Sequence, residues 1–132
     1  MRIFLDANVL FSASQPKSTF ARLVALALER SEVVTSDLAS EEARRNLVLK
    51  RPDWVETFDA LIAELEVAPS VVFALPVTLA EKDVPILCAA IRAKCDLLVT
   101  GDRRDFGHLF EQDVRGVTVI PPLRLARLLA QT

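Results

Sequence analysis

Leu97-Leu98-Val99-Thr100-Gly101-Asp102-Arg103-Arg104-Asp105-Phe106 is the stretch whose reading decides the fold. The apolar run from Leu97 to Val99 stops at Thr100-Gly101, and two carboxylates follow with two arginines between them. A run this short, bounded by a glycine turn, predicts a fully buried, central parallel strand. Ligands of open α/β sheets bind in the crevice beyond the carboxyl ends of such strands, which is where Asp102 and Asp105 stand. Asp and Gly are also common turn formers, so a solvated turn is the competing reading, slightly favoured by this stretch alone.

The N-terminus changes that balance. Arg2-Ile3-Phe4-Leu5 is a second short apolar run, and it too delivers an acid, Asp6, followed by Ala7-Asn8-Val9-Leu10. Further strands are expected at Glu32–Thr35 and Gly116–Ile120, the latter as an edge or late strand, with helices between. Ser18-Thr19 can cap a helix whose apolar positions Phe20, Leu23, Val24, Ala27 and Leu28 follow the 3.6-residue period. Ser36 opens another that runs to about Lys50. Asp53 and Glu56 form a capping box for a helix with the stripe Trp54, Val55, Phe58, Leu61, Ile62 and Leu65. Residues 66–80 hold a loop and at most a short strand. Asp83 is the expected N-cap of a helix with Pro85 in its first turn, and Pro121-Pro122 starts a final helix. Strands alternating with helices mean parallel βαβ units: an α/β fold with a central parallel sheet in one three-layer α/β/α domain, residues 1–132.

Composition narrows the class. A content of 52% hydrophobic residues and a mean hydropathy of +0.31 are high, yet no apolar run approaches the ~18 residues of a membrane span. The surplus predicts a large core and a self-association face. An acid at position 6 is incompatible with a signal peptide, so the chain reads as cytoplasmic with no membrane partner. Net charge is −2 and the pI about 5.4, which excludes the basic signature of a passive nucleic-acid binder. A metal enzyme is not excluded, because bound cations offset its clustered acids. Cys88 and Cys95 are expected on one helix, roughly 10.5 Å apart along its axis, too far for a disulfide.

Phe4-Leu5-Asp6-Ala7-Asn8-Val9-Leu10 and Leu98-Val99-Thr100-Gly101-Asp102-Arg103-Arg104-Asp105-Phe106 closely resemble the first and last motifs of PIN-domain nucleases, a family that includes the VapC-type toxins of toxin–antitoxin pairs. The resemblance runs from Ile3 to Ile120. It implies a metal-dependent ribonuclease hydrolysing phosphodiester bonds of single-stranded RNA, with Mg²⁺ or Mn²⁺ held by Asp6, Glu42, Asp83 and Asp102. Asp105 completes the catalytic acids, assisting through water or a second ion. Glu42 is preferred over Glu41 because the family's acid stands five residues before the apolar position Leu47. Glu41 falls about 100° round the helix. Asn8, Ser12 and Thr100 can donate hydrogen bonds that fix the carboxylates, and Arg103 and Arg104 can contact substrate phosphate. A homodimer is expected, and an antitoxin protein is a further partner the resemblance allows. The segments from Asp6 to Ala13 and from Glu41 to Leu47 look less like the commonest toxins, which leaves that partner open. Open too are the RNA cut and whether one or two ions bind.

Carboxylates suit this chemistry because hard divalent cations take oxygen ligands, and because converging acids repel one another unless a cation is present. The main alternative is a non-catalytic PIN fold used for binding or assembly, which a missing acid would favour; none is missing. A nucleotide-binding domain needs a glycine-rich phosphate loop, and Gly101, Gly107 and Gly116 form none. A phosphatase with Asp6 as nucleophile would want an acid at position 8, where Asn8 stands, and a lysine near the later acids, where the sequence places arginines.

Overall fold

Apolar runs of three to five residues become strands, and the longer periodic segments between them become helices. The computed structural model describes residues 1–131. In chain order it forms β1 (Arg2–Leu5), α1 (Ala7–Ala13), α2 (Thr19–Arg30), β2 (Glu32–Ser36), α3 (Asp37–Lys50), α4 (Val55–Ile62), β3 (Glu66–Ala68), α5 (Val84–Arg92), β4 (Leu97–Val99), α6 (Arg103–Phe106), β5 (Asp113–Val114), β6 (Val117–Ile120) and α7 (Pro122–Ala130). Ser18 and Ser36 cap α2 and α3 as expected, accepting from the amides of Ala21 and Ala39.

The sheet order is β3-β2-β1-β4-β6-β5. Every pairing is parallel except that of β5 with β6. From β1 the chain steps outward to β2 and β3, then crosses to β4 on the other side of β1 and on to β6. Right-handed crossovers put the helices of these two excursions on opposite faces, giving the three-layer α/β/α arrangement. The direction reverses between β1 and β4, whose register pairs Leu5 with Val99. Such a switch point opens a crevice at the carboxyl ends of the two strands.

Ile3, Phe4, Leu5, Val34, Leu98, Val99 and Val119 have no exposed surface. At the opposite end of the sheet, Arg2 spans the first three strands. It reaches Glu32 and Glu66 at 2.8 Å each and the carbonyl of Ala93 at 3.0 Å. Both glutamates are exposed, so these pairs align strand starts more than they stabilise them.

Several expectations need correction. α1 follows directly on Asp6, where no helix was anticipated. Of the two readings of Gly116–Ile120, the late strand holds and the edge does not: β6 is the last strand in sequence, and the two-residue β5 folds back antiparallel outside it. Asp53 makes no cap: it pairs with Arg51 at 2.9 Å, and α4 begins without a side-chain cap. Cys95 lies beyond the end of α5, and both cysteines are free and buried. Residues 69–80 are irregular, after the short β3. Among the described residues, no helix is long and apolar enough to cross a membrane.

Leu98, buried in β4 with β1 on one side and β6 on the other, tests this centrality. Leu98→Ala should cost about 3 kcal/mol in urea unfolding through the cavity it leaves. A loss under about 1 kcal/mol would place the strand outside the core.

Candidate active site

Asp6 leaves β1 beside Thr100, which leaves β4, because Leu5 and Val99 are register partners. The Thr100 hydroxyl donates to Asp6 Oδ2 at 2.8 Å, and Asn8 Nδ2 donates to the same oxygen at 3.2 Å. The amide of Ala7 donates to Asp6 Oδ1 at 2.7 Å, making Asp6 the N-cap of α1. Asn8 also bonds back across the turn, accepting from the Gly101 amide at 2.7 Å. A β-carbon at Gly101 would stand 3.3 Å from that Asn8 oxygen, so the close approach favours glycine. Asn8 and Thr100 thus do what the sequence suggests. Ser12 does not: its hydroxyl bonds no carboxylate, although the residue lines the crevice.

The five acids are grouped unevenly. Asp83, Asp102 and Asp105 each offer an oxygen within 4.8 Å of the others. Asp102 caps α6 through the Asp105 amide at 3.0 Å, which brings the last two together. Asp83 holds the N-cap position of α5 as expected, but its side chain accepts no capping bond there. Its carboxylate is turned instead to Lys82, at 3.3 Å. Asp6 stands 5% exposed behind this group, close enough for the charges of Asp83 and Glu42 to act on it. Glu42 faces it from α3 and, with Asn8, Ser12, Phe20, Gly101 and Asp102, lines a hollow of about 520 Å³. Glu41 lines a different hollow, with Arg44, Arg45, Val48 and Leu49. Arg103 and Arg104 lie exposed on α6 at the rim.

Lys82 is the residue that sequence reasoning missed. Its ammonium lies 2.9 Å from Asp105, 3.3 Å from Asp83 and 3.9 Å from Asp102. The only available signal was its place next to Asp83, and adjacent side chains rarely share a target. A lysine therefore does stand near the later acids, twenty positions upstream of Asp102. The phosphatase alternative now fails on Asn8 alone, which stands where that chemistry would want a second acid.

Burial is the main force on Asp6 and pushes its carboxyl up to about 6, against the opposing bonds from Thr100 and Ala7. Burial also raises Asp83, with Lys82 opposing. Asp105 is held below the usual range by Lys82, and Lys82 is in turn held above its own. The donor set is carboxylate oxygen alone, and three of its members already surround one cation, the lysine ammonium. Those residues fit a hard divalent cation.

The sheet order and the acids at its switch point define the fold as that of PIN domains. Among solved structures, the Rickettsia felis VapBC2 complex bound to a promoter DNA fragment matches with a TM-score of 0.66 at 14% identity, over 92% of this chain and 98% of that one. A PilT N-terminus domain protein from Sulfolobus solfataricus P2 gives 0.64 at 13% identity, over 100% of this chain and 96% of its own. FitAB bound to a DNA fragment gives 0.59 at 22% identity, over 91% and 94%. No family model and no curated protein matches the chain.

An unfolded aspartate titrates near 3.8, and Asp6 here near 6. Between those values the native state binds more protons than the unfolded one, so stability falls as pH rises through that window. In metal-free buffer, wild type should therefore lose on the order of 2–3 kcal/mol relative to Asp6→Asn between pH 4 and pH 7. Parallel stability–pH curves for the two proteins would show that Asp6 is not desolvated.

Proposed function

We propose that this chain is a metal-dependent endoribonuclease that hydrolyses phosphodiester bonds of single-stranded RNA. The observation that carries the reading is the gathering of Asp83, Asp102 and Asp105 at the switch point, with Asp6 behind them and Glu42 across the hollow. In this reading Asp6, Glu42, Asp83 and Asp102 hold Mg²⁺ or Mn²⁺, and Asp105 completes the acid set. The bound ion would make water a competent nucleophile at neutral pH and neutralise charge on the phosphate oxygens. Thr100 and Asn8 hold Asp6 in one rotamer, so its oxygens need no reorganisation.

Substrate has a path to these acids. The main hollow continues into a second of about 230 Å³, lined by Ala7, Asn8, Phe11, Ser12, Glu42, Asn46 and Lys50. Lys50, Arg103 and Arg104 make no ion pair among the described residues, which leaves them available to backbone phosphates. Phe11 packs edge-on against Trp54 with Arg51 stacked 3.8 Å over that indole, a surface suited to bases.

Two partners belong to the same proposal. Leu38 and Leu49, 43% and 75% exposed, lie three turns apart on one side of α3 and support a homodimer through that helix. The likeness to the VapBC2 and FitAB complexes supports an antitoxin partner.

Asp6→Asn and Glu42→Gln should each lower single-stranded RNA cleavage about 10³-fold, since metal activation supplies several kcal/mol. Glu41→Gln should cut like wild type. Wild-type rates from all three variants would end the nuclease assignment. If Glu41→Gln alone is dead, the facing acid on α3 has been misassigned. Millimolar Mn²⁺ should also raise the melting temperature by mass action on the native state, and equal curves in EDTA and Mn²⁺ would count against an intact site. Light scattering should return twice the 14.6 kDa chain mass; that mass alone, at micromolar concentration, would exclude the dimer.

A further inference from the structure

Lys82 is 64% exposed, yet its ammonium is aimed inward at three carboxylates rather than at solvent. Exposed ion pairs stabilise a fold only slightly, so stability does not explain that aim. The backbone beneath it is well anchored. Residues 69–80 approach the acids without regular structure but are tied down along their length. Ser70 bonds Asp37, the Cys88 thiol donates to the Phe73 carbonyl at 3.5 Å, and His108 bonds the Thr78 carbonyl at 2.8 Å. Arg115 stacks over the Phe73 ring at 5.1 Å. The Asp83 amide then closes a turn on Ala80 at 2.9 Å, fixing where Lys82 starts.

We propose that the Lys82 ammonium is a tethered cation that takes the place of a second divalent ion, so that the crevice binds one ion per chain. The inference rests on the nuclease reading and deepens it. A second ion would need oxygens at about 2.0–2.2 Å, roughly 3.5–4 Å from the first. The ammonium already stands among the oxygens of the acid cluster, at 2.9 Å from Asp105 and 3.3 Å from Asp83. Asp105 is then satisfied by Lys82, and the remaining lone pairs of Asp83 and Asp102, with Asp6 and Glu42, are left for one ion. Lys82 acts through the carboxylates and is a positioning residue. A lysine suits this place better than an arginine fork, being a compact point charge with three donors.

The test is a titration with Mn²⁺ alone, following the paramagnetic resonance of the free ion, on wild type, Lys82→Gln and Lys82→Arg. Wild type and Lys82→Arg should bind one ion per chain and Lys82→Gln two. Two ions in wild type, or one in both wild type and Lys82→Gln, overturns the assignment. A second measurement needs no variant: acetylation of Lys82, read by mass spectrometry, should be no faster with Mn²⁺ than without. Acceleration by Mn²⁺ means the ion displaces the side chain, which also overturns it. RNA cleavage is assayed on the same wild-type protein. One ion in both chains with cleavage intact removes only the role of Lys82, whereas neither ion nor cleavage in wild type removes the nuclease reading with it.

Discussion

Parallel pairing of β1 with β4, in the register that opposes Leu5 to Val99, is the constraint on which the crevice depends. It releases Asp6 and Thr100 from the sheet side by side, so one hydroxyl can bond the carboxylate across the junction. Asn8 then spans the same junction, donating to Asp6 and Thr100 and accepting from Gly101. A slip of one residue would turn every side chain of β4 to the other face and place Leu98, not Val99, opposite Leu5. Core and site are therefore fixed by a single register. The apolar side chains select it, and the polar network at its end depends on it.

The same geometry sets up the electrostatic contrast within the crevice. Asp6 is drawn out of water and its carboxyl rises, while Asp105 meets an ammonium at its mouth and its carboxyl falls. Environments that push titratable groups in opposite directions are how one site obtains distinct roles from identical side chains. Neither shift arises from the local sequence. Asp6 depends on burial by the whole sheet, and Asp105 depends on a lysine brought from the start of α5.

What the sequence made legible follows from this division. Leu97–Val99 and Arg2–Leu5 were readable as strands because burial on both faces leaves an unbroken apolar run with a polar stop. Their terminal acids, Asp6 and Asp102, came with them. The helix α1 was hidden because its N-cap is Asp6, so a residue read for chemistry also served as local signal. The edge strand β5 was too short to show any period. Asp53 looked like a cap, but Arg51 two positions away offered it a charged partner. Lys82 was invisible for another reason: its partners Asp102 and Asp105 become neighbours only when β4 returns beside β1.

Glu41 and Glu42 show how one helix can divide two tasks. Ala39, Ala43 and Leu47 are buried and fix how α3 sits on the body. With that face fixed, a step of about 100° separates the two glutamates. Glu42 comes to the hollow shared with Asn8 and Asp102, and Glu41 to the outer side with Val48 and Leu49. In the proposed dimer, a partner covering Leu38 and Leu49 would bury the outer side and leave the crevice uncovered. Substitutions at the two faces should therefore be separable, those at Leu49 changing the mass in solution and those at Glu42 the cutting rate. Sites without shared contacts respond independently.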